Sequence, residues 1–136
     1  MVTIESKYLG ELRTESIHVR SSRTLLTDAP IDNNGKGEAF SPTDLLATAL
    51  GTCMLTTMGI SAREHGINID GTTCSIVKIM AASPRRVSEV QIELNFPKDT
   101  KYPDKHKAIL ERSALTCPVA KSLHSDLVQN VTFNFA

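Results

Sequence analysis

The stretch "SPTDLLATALGTCMLTTMGISAREHG", Ser41 to Gly66, commits this chain to one long helix and so limits every fold open to it. Ser41 stands at the N-cap, Pro42 at the first helical position and Asp44 two residues on, where an acidic side chain faces the positive helix end. Leu45, Leu46, Ala49, Leu50, Cys53, Met54, Thr57, Ile60 and Ser61 form one broad, mostly apolar band. His65 and Gly66 supply the stop, with glycine just past the end. The predicted length of about 23 residues is roughly twice the usual globular helix. Gly51 and Gly59 lie inside it, each costing about 1 kcal/mol relative to alanine. The expected compensation is close approach by another backbone, which implies a helix buried from several sides.

Around that helix the pattern is mixed. Val2 to Tyr8 and Ser16 to Val19 read as strands, with the turn between them placed at Gly10 and at Thr14 to Ser16. "RTLLTDAP" reads as a short strand ended by Asp28 and Pro30, and Asp32 to Ala39 as a flexible polar loop. "TTCSIVKIMAA" and "VSEVQIELNF" form a hairpin around "SPRR", with Val90, Ile92, Leu94 and Phe96 inward. A second helix starts near Pro103 and Asp104, and a third runs from the Cys117-Pro118 turn through Leu127. "NVTFNF" closes the chain as a strand. Without repeating βαβ units the fold class is α+β, an antiparallel sheet packed over a central helix.

A chain of 136 residues suits one domain, residues 1–136, with a core of Leu, Ile, Val, Met and Ala because aromatic residues are few. Fifteen basic residues balance fifteen acidic ones. That balance offers no field for nucleic acid or an anionic membrane, so neither is expected as a partner. No signal peptide is evident, and no segment is read as approaching the roughly 20 apolar residues of a membrane span. Three cysteines, an odd number, argue against a structural disulfide framework and for a reducing, cytoplasmic setting.

Two of those cysteines invite chemistry. In "LTCPVAKSLH" Cys117 opens a helix, either as its cap or as its first residue, where unpaired N–H groups and the helix dipole favour a thiolate; Lys121 adds positive charge. A merely buried cysteine fits the same stretch. Cys53 shares a face with Ala49, Leu50, Thr57 and Ile60 and by itself reads as a small core hydrophobe. The glycines and threonines around it nonetheless leave room for a partner. Cys74 reads as core. The sequence has no CxxC, no HExxH and no glycine-rich phosphate loop, since Gly35-Lys36-Gly37 is too short. Its histidines (18, 65, 106 and 124) lack metal-ligand spacing, so no metal or cofactor is expected, and zinc on Cys53, Cys117 and a histidine is disfavoured.

"GKGEAFSPTDLLATALGTCMLTTMGI", Gly35 to Ile60, followed by "LTCPVAKSLHSDL", Leu115 to Leu127, resembles the OsmC/Ohr family of thiol-dependent peroxidases, nearer its OsmC-like branch than the organic hydroperoxide resistance branch. The resemblance implies an OsmC-like fold in which two subunits intertwine as a homodimer, sheets wrapped around the paired long helices. It makes Cys53 the peroxidatic cysteine and Cys117 the resolving one, joined as an intramolecular disulfide. It also implies organic hydroperoxides or hydrogen peroxide as substrates, a dithiol reductant such as protein-bound lipoamide, and an antioxidant role in oxidative stress. Leu46, Leu50 and Met54 would then receive the organic part of the substrate.

An arginine and a glutamate complete the peroxidatic pocket in this family. The glutamate position falls on Thr43 here, and the neighbouring Asp44 is explained by the helix cap. Glu38 is therefore the candidate carboxylate, and Arg13 the candidate arginine ahead of Arg20 and Arg23. Two rival readings follow. One is a cysteine hydrolase with Cys117 as nucleophile and His124 as base, disfavoured because seven residues of helix rise about 10 Å. The other is a non-catalytic or redox-sensing binding dimer of the same fold, for which the missing glutamate argues.

Overall fold

The computed structural model describes residues 1–135 and resolves two compact units, Met1–Leu46 and the chain from Ala47 onward. In the first unit β1 (Ile4–Gly10), β2 (Arg13–His18) and β3 (Arg23–Asp28) form an antiparallel sheet in that order. The β1–β2 turn is tight, with positive φ at Gly10, Glu11 and Leu12. β2 therefore starts at Arg13, and Thr14 to Ser16 lie in the strand, not in the expected turn. This earlier start makes Arg13 and Asp28 direct cross-strand partners.

The segment after β3 is an irregular loop, as the sequence suggested, with internal bonds of its own. A short 3₁₀ turn spans Ile31–Asn33, and backbone bonds from Gly35 to Pro30, Gly37 to Ala29 and Asp28 to Phe40 fold it back on itself. A side chain at Gly35 would strike the Ala29 carbonyl, so the path requires glycine there. α1 (Pro42–Glu64) follows with its cap as predicted. The Asp44 amide donates to Ser41 Oγ and the Ser41 amide to Asp44 Oδ2, both at 3.0 Å, a reciprocal box that satisfies two otherwise unpaired donors.

In the second unit β4 (Thr73–Ala81), β5 (Arg86–Asn95) and β6 (Val128–Asn134) form a sheet in that order. β4 and β5 are the expected antiparallel hairpin, but β6 runs parallel to β5, which corrects the all-antiparallel expectation. The reason is the connection: α2 (Asp104–Leu115) and α3 (Pro118–Ser122) give the chain a long crossover, and it re-enters the sheet in its original direction. α3 stops at Ser122, not Leu127, because Leu123 is extended and a turn follows in which Leu127 donates to the His124 carbonyl.

The core of this unit packs one stripe of α1 (Ala47, Leu50, Gly51, Met54, Met58, Ala62) with Val90, Ile92 and Leu94 of β5 and Leu110 and Ala114 of α2. Within a single chain this stripe leaves other faces of α1 open, and Ile60 is 56% exposed. Gly51 is closely approached by the Ile76 and Cys74 side chains, not by a backbone, and nothing lies within 4 Å of a Cβ built on Gly59. α1 is also long and apolar enough to cross a membrane by length and composition, contrary to the sequence reading; its charged residues sit only near its ends. Its buried stripe is that of a core helix.

Candidate functional site

Cys53 lies half-buried on α1, and Cys117 lies fully buried (0% exposed) at the start of α3. Their side chains are neighbours, and Cys53 acts on the Cys117 thiol through a side-chain hydrogen bond and through charge. Cys117 is itself the N-cap: its backbone is extended and its Sγ accepts from the Ala120 amide at 3.4 Å. The local geometry is thus the one that favours a thiolate. Burial nonetheless wins. Desolvation pushes the Cys117 thiol above its ordinary pKa, the Ala120 amide opposes that only in part, and the nearby Cys53 sulfur reinforces it. Burial therefore opposes the helix-start argument for a Cys117 thiolate. A buried group pays the whole loss of water, while a helix of five residues supplies few aligned dipoles.

On α1 itself, Thr57 Oγ1 lies 4.0 Å from the Cys53 Sγ. Leu50 and Met54 are wholly buried in the core, so they do not offer the open apolar lining expected for a substrate's organic part. Leu46 is exposed and belongs to the first unit. Cys74 is half-buried against the core, and burial raises its thiol too, in keeping with a structural role. No His, Cys, Asp and Glu cluster among the described residues has the grouping to hold a metal ion. His124 is exposed and turned to its own loop, its Nδ1 accepting from the Asp126 amide at 3.0 Å, which leaves it unsuited as a base for Cys117.

The first unit carries the charged group. Arg13 Nε donates to Asp28 Oδ1 at 2.7 Å and Nη2 to Asp28 Oδ2 at 2.8 Å, a two-pronged pair. Nη2 also donates to Glu38 Oε1 at 3.0 Å, and the Glu38 amide donates to Asp28 Oδ2 at 3.1 Å. Arg13 and Glu38 are therefore brought together as expected, but the principal carboxylate is Asp28, 1% exposed, whereas the Glu38 side chain is 67% exposed. Hydrogen bonding to Arg13 holds the Asp28 carboxyl below the ordinary carboxylate range, and Asp28 in turn raises the guanidinium.

Sequence reasoning missed Asp28 because it read that residue as a strand stop. An acid one strand away from a basic residue, with alternation continuing through both, was the available cue. Arg20 and Arg23 are exposed. Thr43, where the family's glutamate is expected, bonds the capping Ser41 hydroxyl at 3.1 Å. Two groupings thus result: the sulfur pair in the second unit and the arginine with two carboxylates in the first.

A helix-borne cysteine with a buried neighbour, on an α+β scaffold of two three-stranded sheets, defines a class. Residues 35–131 match the family described as OsmC-like protein, and the chain belongs to that family. Among solved structures it is similar to a protein of Psychrobacter arcticus 273-4 provisionally described as an osmotic stress induced and detoxification response protein. The two are 54% identical over 98% of this chain and 96% of that one, with a TM-score of 0.94. The organic hydroperoxide resistance protein OsmC of Legionella pneumophila shares the fold at 15% identity over 99% and 98% of the two chains, TM-score 0.73. An organic hydroperoxide resistance protein of Elizabethkingia anophelis does so at 15% over 100% and 98%, TM-score 0.71. No curated protein matches the chain.

Proposed function

We propose that this protein is a thiol-dependent hydroperoxide reductase that works through a Cys53–Cys117 disulfide. The observation that carries the reading is the asymmetry of the pair: a half-buried Cys53 beside a buried Cys117 that holds its proton. The accessible sulfur attacks and the buried one resolves. Cys53 thiolate attacks the distal peroxide oxygen, the O–O bond breaks, and the leaving oxygen takes a proton to depart as alcohol or water. Cys53 becomes a sulfenic acid. Cys117 then condenses with it, forming the S–S bond and releasing water. A dithiol, for which protein-bound lipoamide is one chemical type, is oxidised as it returns both cysteines to thiols.

Arg13 is proposed as the arginine that members of this family use toward peroxide, its fork held within the first unit by Asp28 and Glu38. Names carried by proteins of this fold support an organic hydroperoxide as substrate and a place in the response to oxidative stress. The working unit is proposed to be a homodimer in the cytoplasm. Ile60 on α1 and Ile4, Tyr8 and Leu25 on the first sheet leave apolar surface exposed on a single chain, which pairing would cover. Sedimentation equilibrium should give twice the 14.8 kDa chain mass. A clean monomer would end the dimer proposal.

Threonine at position 43 favours one other reading, a redox-sensing dimer without turnover. Cys53→Ser and Cys117→Ser separate the two. With tert-butyl hydroperoxide, C53S should not consume peroxide and C117S should consume one equivalent and stop as a sulfenic acid on Cys53. The unaltered chain should cycle with a dithiol. Formation of the 53–117 disulfide without cycling by any dithiol would favour the sensor, and peroxide consumption unaffected by either variant would refute both.

A further inference from the structure

Several hydroxyls on the helices of the second unit share one habit. Thr52 and Thr56 donate to the carbonyls of Thr48 and Thr52, each at 2.8 Å, and Ser113 and Thr116 to those of Ile109 and Arg112 at 2.9 and 2.8 Å. Each directs its proton one turn back into its own helix, the usual arrangement for threonine and serine inside helices. Thr57 departs from that habit. Among the described residues its one hydrogen-bond contact is the Cys53 sulfur, 4.0 Å from Oγ1.

The placement follows from helix geometry. A residue four positions on lies over the same face, and its Cα–Cβ bond tilts toward the N-terminus, so the side chain at 57 covers the turn that holds 53. A hydroxyl can donate to a sulfur that carries charge, and such charge-assisted bonds are shorter than neutral ones. The 4.0 Å separation belongs to the resting site, where catalytic contacts are often long. Cys117, which keeps its proton, meets the same sulfur from the start of α3.

We infer that Thr57 is a catalytic residue of the proposed reaction: its hydroxyl donates to the Cys53 thiolate and holds that sulfur ready for attack. This rests on Cys53 being the attacking cysteine. The neighbouring Thr56 offers an internal contrast, since its hydroxyl is committed to a backbone carbonyl and it is exposed.

The test uses C117S as parent, which keeps a hydroxyl donor at position 117. Two rates are measured at Cys53, followed by peptide mass spectrometry: alkylation by iodoacetamide, and sulfenic acid formation with one equivalent of tert-butyl hydroperoxide. T57V keeps the branched shape and removes the hydroxyl, and it should slow both rates about tenfold, the scale of one hydrogen bond to a charged group. T57S restores the hydroxyl and should recover most of the loss, which a purely structural role for the side chain would not predict. T57A repeats the removal without added bulk should T57V misfold. Alkylation of T57V and T57A within about twofold of the parent overturns the inference. A parent that alkylates yet ignores peroxide overturns the peroxidase reading and the catalytic role with it, while loss of alkylation in T57V alone would still identify the hydrogen bond.

Discussion

The two units are buried in opposite ways. Every buried apolar residue lies from Ala47 onward, whereas the buried residues of the first unit are Thr27, Asp28 and Ser41, all polar. Thr27 bonds Thr14 across the strands, Asp28 bonds Arg13 and Ser41 caps α1. One unit is held by directional bonds whose strength depends on charge, the other by packing whose strength depends on volume. The chemistry divides likewise, with ions in the first unit and sulfur in the second. Protonation should therefore disturb one and cavities the other.

Leu110→Ala tests the volume side most severely. Leu110 is 0% exposed, and emptying such a site costs about 2–5 kcal/mol. Urea unfolding should show that loss in the transition midpoint with an unchanged slope. Gly51→Ala should come next. A new Cβ would sit 2.6 Å from Ile76 Cδ1 and 3.0 Å from Cys74 Sγ, and overpacking of that kind costs about 1–3 kcal/mol, more than alanine's helix preference returns. A variant as stable as the parent would show that β4 yields more readily than a close-packed core should.

Acid tests the charge side. Arg13 lowers the Asp28 pKa in the folded chain, so the folded state binds that proton less readily than the unfolded one. The stability this contributes is complete above the ordinary carboxylate pKa of about 4 and is lost as pH falls through the lower folded value. Amide exchange in β2 and β3, corrected for intrinsic rates, should lose protection over that window while β4 and β5 keep theirs. Asp28→Asn should remove the pH dependence. Equal loss in both sheets would break the proposed contrast between the units.

The smallest effect is expected at Gly59. With nothing within 4 Å of its Cβ position, Gly59→Ala should stabilise α1 by up to about 1 kcal/mol, read by thermal melting. A loss of stability that deepens on dilution would instead place a second copy against that turn.

Features set by neighbouring residues were legible in the sequence. The Ser41-Pro42-Asp44 cap, the span of α1 and the β4–β5 hairpin follow from local chemistry and periodicity. Features set by distant contacts were not. The direction of β6 depends on a crossover through two helices, and the role of Asp28 depends on a register fixed by the turn at Gly10 to Leu12. Cys117 shows the same limit: its helix start was read correctly, but the burial that decides its protonation comes from the surrounding fold. The cysteine pair itself was found through resemblance more than through any local signal.

Closing a covalent link between Cys53 and Cys117 would enclose β4, β5 and α2 in one ring of roughly 65 residues. A crosslink around so large a ring removes many unfolded conformations and is worth about 4 kcal/mol by the chain-entropy relation. Oxidation would then act as a ratchet on the scaffold, with the disulfide form resisting heat and denaturant and the dithiol form relaxing again. In the proposed reaction, each cycle would alternately tighten and release the very unit that holds the sulfurs.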